Sequence, residues 1–155
     1  MGELSVSDNP GDVLVSIGLG SCIGLALLDT GRSLAGLAHV MLPESSPGET
    51  VEAKFADLAV PALVEQLVER GARRSQLRAV LVGGAKMFSF TNNTLDIGAR
   101  NESATRQALA QAGIPVAQTA TGGSKGRTIR VLVEQGVVVC REAGGTEVEL
   151  YRGAG

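Results

Sequence analysis

Cys22 and His39 are the residues of this sequence whose types and spacing best suit nucleophilic catalysis. Cys22 follows Gly18-Leu-Gly-Ser21, and glycine-rich turns bring backbone N–H groups close to a nucleophile, where they can hold an oxyanion. A thiol becomes a stronger nucleophile when a neighbouring base removes its proton, and His39 is the only histidine in the chain. Taken singly, a free cysteine is more commonly a small core residue, and a histidine is more commonly satisfied by a backbone carbonyl.

The segments that carry these two residues predict a β-hairpin. Cys22–Leu28 and Leu34–Leu42 are apolar runs too short for typical helices, and turn-forming residues lie between them at Asp29–Arg32. Short apolar runs joined by such a turn favour antiparallel pairing. The pairing register then decides whether sulfur and imidazole meet.

A turn about Thr30 and Gly31 predicts paired residues whose numbers sum to 61, which sets Cys22 directly opposite His39. Opposed residues share a face, with Cβ atoms ~5 Å apart, so a thiolate–imidazolium pair is predicted, with a thiol pKa below the usual ~8.5. A three-residue loop ending at Gly31 would instead give a sum of 60 and send His39 to the other face.

A third hydroxyl-bearing residue would orient the imidazole ring through its second nitrogen. Ser16, one strand earlier, is the first candidate, and Ser21 is the second. Either hydroxyl could equally bond to its own backbone at a strand end.

The rest of the pattern predicts an α/β fold in which helices pack on mixed, mostly antiparallel sheets, in one domain spanning residues 1–155. A first helix is predicted over Pro47–Arg70, with a capping box at Ser46 and a kink or interruption at Pro61. A second is predicted from the N-cap Asn101 to Gly113. Further strands are predicted at Val13–Ile17, Leu77–Val82, Ile114–Gln118, Thr128–Glu134 and Val137–Arg141, with an edge strand at Glu147–Tyr151. Gln135-Gly136 is predicted to join Thr128–Glu134 and Val137–Arg141 as a hairpin.

Composition argues against several function classes. The net charge is −2 and the basic residues form no block, so a nucleic-acid partner is not expected. Two cysteines and one histidine do not suit a disulfide framework or a structural zinc site. The N-terminus lacks signal-peptide features, and the longest uncharged run, Val13–Leu28, is shorter than a membrane span. A cytoplasmic protein without membrane insertion is expected.

Two other glycine clusters and a second cysteine are further candidates for chemistry. Gly83–Phe88 follows a strand but lacks the spacing of phosphate-binding loops, which favours a tight turn. Gly122–Arg127 carries two cations and is either a solvated loop or a substrate-side loop. Cys140 lies among valines and is predicted to be a core residue.

Several motifs together resemble the CheD family of bacterial chemoreceptor glutamine deamidases. They follow the family's order from about Leu14 to Val139. The motifs are Gly18-Leu-Gly-Ser-Cys-Ile-Gly24, Ala38-His-Val-Met-Leu-Pro43, Lys54-Phe-Ala-Asp-Leu-Ala-Val-Pro61, Gly83-Gly-Ala-Lys-Met-Phe88, Ile97-Gly-Ala-Arg-Asn101 and Gly122-Gly-Ser-Lys-Gly-Arg127.

The resemblance implies a fold similar to the deamidase domain of cytotoxic necrotizing toxins, with a Cys–His–Thr site. Carried over by position, Cys22 is the nucleophile and His39 the base, and Ser16 stands where the family usually has threonine. Gly20 and Ser21 fall at the oxyanion position, and Gly122 and Gly123 fall in a substrate-side loop. The family often has an acidic residue before these last two glycines, where this chain has Thr119–Thr121.

The activity that the resemblance implies is deamidation of chemoreceptor glutamines to glutamate, with methyl ester hydrolysis as a side activity. It requires no metal or organic cofactor. The implied partners are the receptors' cytoplasmic helices and the CheC phosphatase. The alternative is a non-catalytic module that binds and regulates a CheC-type phosphatase, with Met87 and Phe88 on the binding surface.

Overall fold

The computed structural model describes residues 3–48, 52–86 and 96–153. In these ranges no helix is long and apolar enough to span a membrane. In chain order the elements are β1 (Leu4–Ser7), β2 (Val13–Leu19), β3 (Ile23–Asp29), β4 (Leu34–Val40), α1 (Ala56–Glu69), β5 (Arg78–Gly83), α2 (Ile97–Ala112), β6 (Val116–Thr121), β7 (Arg127–Leu132), β8 (Val137–Glu142) and β9 (Glu147–Arg152).

The strands form two sheets. The five-stranded sheet has the order β1-β4-β3-β5-β6, and only its β5–β6 pair is parallel. The four-stranded sheet, β2-β7-β8-β9, is antiparallel throughout. The predicted architecture of helices with mixed, mostly antiparallel sheets is therefore confirmed, as are the β7–β8 hairpin and the edge position of β9. The strand β1 was not predicted.

Side-chain alternation along β3 divides the core into two layers. Leu25 and Leu27 lie in a cluster with both helices, while Ala26 and Leu28 lie in a second cluster with the four-stranded sheet. Every residue of β3 is buried, which explains why its sequence is apolar up to the terminal Asp29 rather than alternating. The second cluster, between the two sheets, is the layer that reaches the candidate site.

The β3–β4 hairpin has a different register from the one predicted. Gly24 pairs with His39 and Asp29 with Leu34, so paired numbers sum to 63. The prediction of 61 was wrong, as was the alternative of 60. The reason is a four-residue connection in which a 3-10 turn is followed by Ser33 in the left-handed conformation, with φ 50°. A shift of two preserves the face of every side chain.

The predicted start of the first helix was also wrong. Residues 47 and 48 form a turn, and α1 begins at Ala56, after a 3-10 turn at Glu52–Lys54. Glu49, the last member of the predicted capping box, lies outside the described residues. Pro61 lies inside α1 without interrupting it.

The second helix begins four residues before the predicted Asn101. Its N-cap is Asp96, whose Oδ1 accepts a hydrogen bond from the Ala99 N–H at 3.0 Å. Asn101 is therefore a buried residue of the second turn and not a cap. The predicted end is confirmed, because Gly113 adopts the left-handed conformation after Ala112.

Asp29 anchors the end of the hairpin that is distant from the candidate site. Its fully buried carboxylate accepts hydrogen bonds from the Arg73 backbone N–H at 2.8 Å, from Nε at 3.2 Å and from Nη2 at 2.9 Å. Burial alone would raise the pKa of Asp29, but the hydrogen bonds and charge of Arg73 outweigh it and hold the pKa below its ordinary value.

We expect Asp29→Asn to lower the free energy of unfolding at pH 7 by about 1–2 kcal/mol, a figure reduced for the solvent exposure of Arg73. The carboxylate's contribution is present above its unfolded-state pKa of ~3.9 and is lost as pH falls through the lowered folded-state pKa. Urea unfolding from pH 7 to pH 3 should therefore show the two proteins converging below about pH 4. The control is Glu65→Gln on exposed α1 surface. A gap that stays constant over this pH range would contradict the assignment.

Candidate active site

The residues Gly20–Cys22 form the turn before β3, and each of their three backbone carbonyls accepts a hydrogen bond. The Gly20 carbonyl accepts from the Ala85 N–H, and the Cys22 carbonyl accepts from the Gly84 N–H, each at 2.9 Å. The Ser21 carbonyl accepts from Asn101 Nδ2 at 2.9 Å. These donors come from the segment after β5 and from α2, so two distant parts of the chain fix the backbone around Cys22.

Glycine is required where the segment after β5 approaches this turn. Gly83 has φ 115°, in the left-handed half of conformational space, and a Cβ there would overlap the Cys22 carbonyl oxygen. A Cβ on Gly98, in the first turn of α2, would likewise overlap the carbonyl oxygens of Gly84 and Ala85. The described part of Gly83–Phe88, the segment for which a tight turn was predicted, therefore packs against the backbone of Cys22.

Because the carbonyls of the turn are occupied, its N–H groups are the remaining polar groups of the backbone. Within the described ranges, the N–H groups of Gly20, Ser21 and Cys22 donate no hydrogen bond to the protein. Backbone donors fixed in advance are suited to stabilising an oxyanion, because they need not reorganise during the reaction.

His39 lies on the same face of the five-stranded sheet as Cys22. His39 pairs with Gly24 and shares its face with Ala35 and Leu37, two members of the cluster between the sheets, and Cys22 packs against that cluster. The prediction that Cys22 lies directly opposite His39 was wrong, because His39 pairs with Gly24, two residues after Cys22. Such diagonal neighbours are ~7 Å apart. In the described structure no hydrogen bond joins the Cys22 sulfur to the His39 ring.

Ser16 approaches His39 from the other sheet. Ser16 pairs with Ile129, whose Cγ2 lies 3.0 Å from where a Cβ on Gly24 would be. Gly24 in turn pairs with His39. Ser16 and His39 also line one cavity of about 230 Å³, whose other lining residues are Glu3, Val15 and Ile17.

Burial shifts both titratable groups towards their neutral forms. It raises the pKa of the half-buried Cys22 thiol and lowers the pKa of His39, although the nearby charge of Glu3 acts in the opposite direction on the imidazole. Both shifts favour a thiol and a neutral imidazole, whereas the sequence analysis predicted a thiolate–imidazolium pair.

The loop at Gly122 and Gly123 is attached to the segment behind Cys22. The Gly122 N–H donates to the Gly83 carbonyl at 3.0 Å, and the Gly123 carbonyl accepts from the Lys86 N–H at 2.9 Å. Arg127 donates to the carbonyls of Gly83 and Gly122 at 3.2 and 2.8 Å. This cation thus stabilises the loop and is not a solvated charge.

A carboxylate lies beside this loop, although the chain has no acidic residue immediately before Gly122. Thr121 donates from Oγ1 to Glu102 Oε2 at 2.9 Å, so α2 supplies the acidic group.

Cys140 is buried in the cluster between the sheets, as predicted. Met87 and Phe88, which were considered for a binding surface, lie outside the described residues.

Asn101 is the residue of this region that sequence reasoning misjudged. It was interpreted as a helix cap, whereas its side chain is fully buried and bonded to the turn before Cys22. A usable signal was present, since asparagine is an unfavourable residue inside a helix. Its partners, 60 and 80 residues away along the chain, could not be identified from sequence spacing.

Taken together, these features define an α/β protein with a half-buried cysteine beside a held glycine turn. The chain matches the family described as "CheD chemotactic sensory transduction" over residues 41–142. It is 44% identical over 139 residues to a protein of Clostridium novyi, covering 87% of this chain and 86% of that one. It is 46% identical over 155 residues to a protein of Symbiobacterium thermophilum, covering 97% and 94%. Both are named "Probable chemoreceptor glutamine deamidase CheD". The chain belongs to the CheD family.

A solved structure with a similar fold is the Bacillus licheniformis hypothetical protein YfiH. The TM-score is 0.50 at 20% sequence identity, covering 78% of this chain and 49% of YfiH. This chain thus spans about half the length of that protein, and the likeness concerns the fold alone. This similar structure is YfiH and not the toxin deamidase domain that the family resemblance implied.

We expect the free Cys22 thiol to titrate above its ordinary ~8.5, because burial disfavours the thiolate. The measurement is the rate of iodoacetamide alkylation against pH in a Cys140→Ser background, which leaves one cysteine. The rate should rise with pH to a midpoint above ~8.5. A midpoint near pH 7 would instead favour a preformed thiolate–imidazolium pair.

Proposed function

We propose that this protein deamidates glutamine side chains on the cytoplasmic helices of chemoreceptors, with Cys22 as the nucleophile and His39 as the general base. The observation that carries the proposal is the held turn at Gly20–Cys22, which leaves its N–H groups for an oxyanion beside a thiol on the same face as the only histidine. The printed names of the curated relatives support the substrate class.

Acylation begins from the neutral pair. The neutral imidazole of His39 accepts the thiol proton as the sulfur of Cys22 attacks the glutamine carboxamide carbon, so a preformed thiolate is not required. The diagonal separation shortens as substrate binds, in keeping with the looser geometry of catalytic groups in unbound enzymes. Charge then develops on the carboxamide oxygen, where the N–H groups of Gly20, Ser21 and Cys22 stabilise it.

Collapse of the tetrahedral intermediate breaks the C–N bond. The imidazolium of His39 donates its proton to the departing ammonia and leaves a thioester on Cys22. The neutral imidazole then takes a proton from water, the resulting hydroxide attacks the thioester, and the thiol is regenerated as glutamate leaves. The same acyl-transfer sequence would hydrolyse a glutamate methyl ester, with methanol leaving in place of ammonia when the thioester on Cys22 forms. Each deamidation adds one negative charge to the receptor helix, which shifts its signalling equilibrium.

Two further groups complete the proposed site. The Ser16 hydroxyl orients the imidazole, an assignment supported by the cavity that Ser16 and His39 both line. The loop at Gly122 and Gly123 is a substrate-side loop, supported by its attachment to the segment behind Cys22. As the family resemblance implies, we also propose a fold similar to the deamidase domain of cytotoxic necrotizing toxins.

A CheC-type phosphatase is a second proposed partner, bound at the same opening. Exposed apolar side chains support a protein ligand there, because Ile17 is 76% and Val15 45% exposed on the outer face of β2, beside the His39 cavity. We further propose that residues 1–155 act as one catalytic domain in the cytoplasm, where these receptor helices are located.

Replacing Cys22 with alanine should reduce deamidation by about 10³-fold or more, and His39→Ala should have a comparable effect, because nucleophile and base act as a unit. The measurement is intact-mass analysis of a purified receptor cytoplasmic fragment, which reports conversion of each amide to an acid.

Cys140→Ala is the matched control, since it removes a thiol from the same core cluster without affecting the reaction. Cys22→Ala should also retain binding to CheC, which separates binding from catalysis. Undiminished deamidation by either the Cys22 or the His39 variant would exclude the mechanism.

Ser16→Ala should lower kcat by about fivefold to tenfold, which corresponds to one hydrogen bond worth about 1 kcal/mol. Ser16→Thr retains the hydroxyl and should keep most of the activity. Initial rates on the same receptor fragment test this. If alanine and threonine variants both match the parent protein, Ser16 has no orienting role.

A further inference from the structure

A single side-chain atom ties together the two segments that carry the candidate nucleophile and base. Asn101 Nδ2 donates to the Ser21 carbonyl at 2.9 Å and to the Met41 carbonyl at 3.0 Å. Ser21 immediately precedes Cys22, and Met41 follows His39 by two residues. The donor comes from α2, which belongs to neither segment of the hairpin.

The chemistry of this contact is particular to an amide. Two carbonyls on different segments require two hydrogens from one donor atom, whereas a serine or threonine hydroxyl has only one. Lysine or arginine would supply enough hydrogens but would bring a charge into a fully buried position. An asparagine amide supplies both hydrogens without a charge.

The remaining polar atom of Asn101 indicates that this double contact has a function beyond packing. Its Oδ1 is buried and has no hydrogen-bond partner in the described part of the chain, an arrangement that disfavours folding. Asparagine is also an unfavourable residue inside a helix. A position selected for packing alone would hold an apolar side chain.

We propose that Asn101 is a positioning residue that sets the distance between the Cys22 thiol and the His39 imidazole. The proposal rests on the proposed function, in which these two groups exchange a proton. The other two carbonyls of the turn are held by backbone N–H groups. In the described ranges, Asn101 is the only side chain that holds the turn at Gly20–Cys22, and the same atom also holds the end of β4.

The test compares Asn101→Leu, which removes both donors and approximately retains the shape, with Thr105→Val as the matched control. Thr105 is buried one turn further along α2 and donates from Oγ1 to the Asn101 carbonyl at 2.7 Å. The control removes a buried hydrogen bond from the same helix without contacting the turn. Asn101→Ser, which retains one donor hydrogen, is the second variant.

The readouts are kcat and KM on a purified receptor cytoplasmic fragment, the pH profile of Cys22 alkylation, and Tm. We expect Asn101→Leu to lower kcat by about 100-fold, the effect of a misplacement near 1 Å, with little change in KM. Asn101→Ser should be intermediate in kcat. Both variants should alter the alkylation profile, whereas Thr105→Val should lower Tm and leave kcat and the profile unchanged.

The outcomes separate this inference from the proposed function. If Cys22→Ala abolishes deamidation while Asn101→Leu keeps the parent kcat, the positioning role is wrong and the function stands. If Thr105→Val loses as much kcat as Asn101→Leu, the loss reflects helix stability and the positioning role is again wrong. Should Asn101→Leu fail to fold, Asn101→Ser decides by the same kcat criterion. Deamidation that survives Cys22→Ala overturns the assignment of Cys22 as nucleophile, on which the positioning role of Asn101 depends, whereas absence of deamidation by the parent protein overturns the proposed function.

Discussion

The geometry of the candidate site depends on three hydrogen bonds that fix the carbonyls of Gly20, Ser21 and Cys22. They turn the carbonyl side of the backbone inwards and leave the N–H groups without acceptors among the described residues, an arrangement suited to stabilising negative charge. The approach that makes this possible is available only to glycine at Gly83. Fixed dipoles of this kind act without reorganisation during a reaction.

The site also joins the two sheets. Ser16 belongs to the four-stranded sheet, whereas Gly24 and His39 belong to the five-stranded one, and Ile129, which pairs with Ser16, also approaches Gly24. Ser16 and His39 line one cavity between these elements. Asp29 and Arg73 secure the opposite end of the same hairpin, so the hairpin is held at both ends.

Strand positions and the general architecture could be predicted from the sequence because apolar periodicity and turn residues are local signals. The placement of Cys22 and His39 on one face of the sheet could also be predicted, since an error of two residues in the register leaves every side chain on the same face. The register itself depended on Ser33 in the left-handed conformation, which serine rarely adopts. The helix starts were predicted wrongly because Ser46 and Asn101 are residue types that commonly cap helices, whereas the N-caps in the structure are Phe55 and Asp96. The two contacts of Asn101 cross 60 and 80 residues, and no local pattern encodes such a distance.

The raised pKa of Cys22 has a consequence for the chemistry of a resting enzyme. Peroxides and disulfides react with the thiolate and hardly at all with the thiol, so a sulfur that stays protonated at neutral pH is protected from sulfenic acid formation and mixed disulfides. In the mechanism proposed above, proton removal is left to the encounter with substrate, so Cys22 would become reactive only while substrate is bound. In that mechanism, half-burial would protect the Cys22 sulfur from oxidation between turnovers.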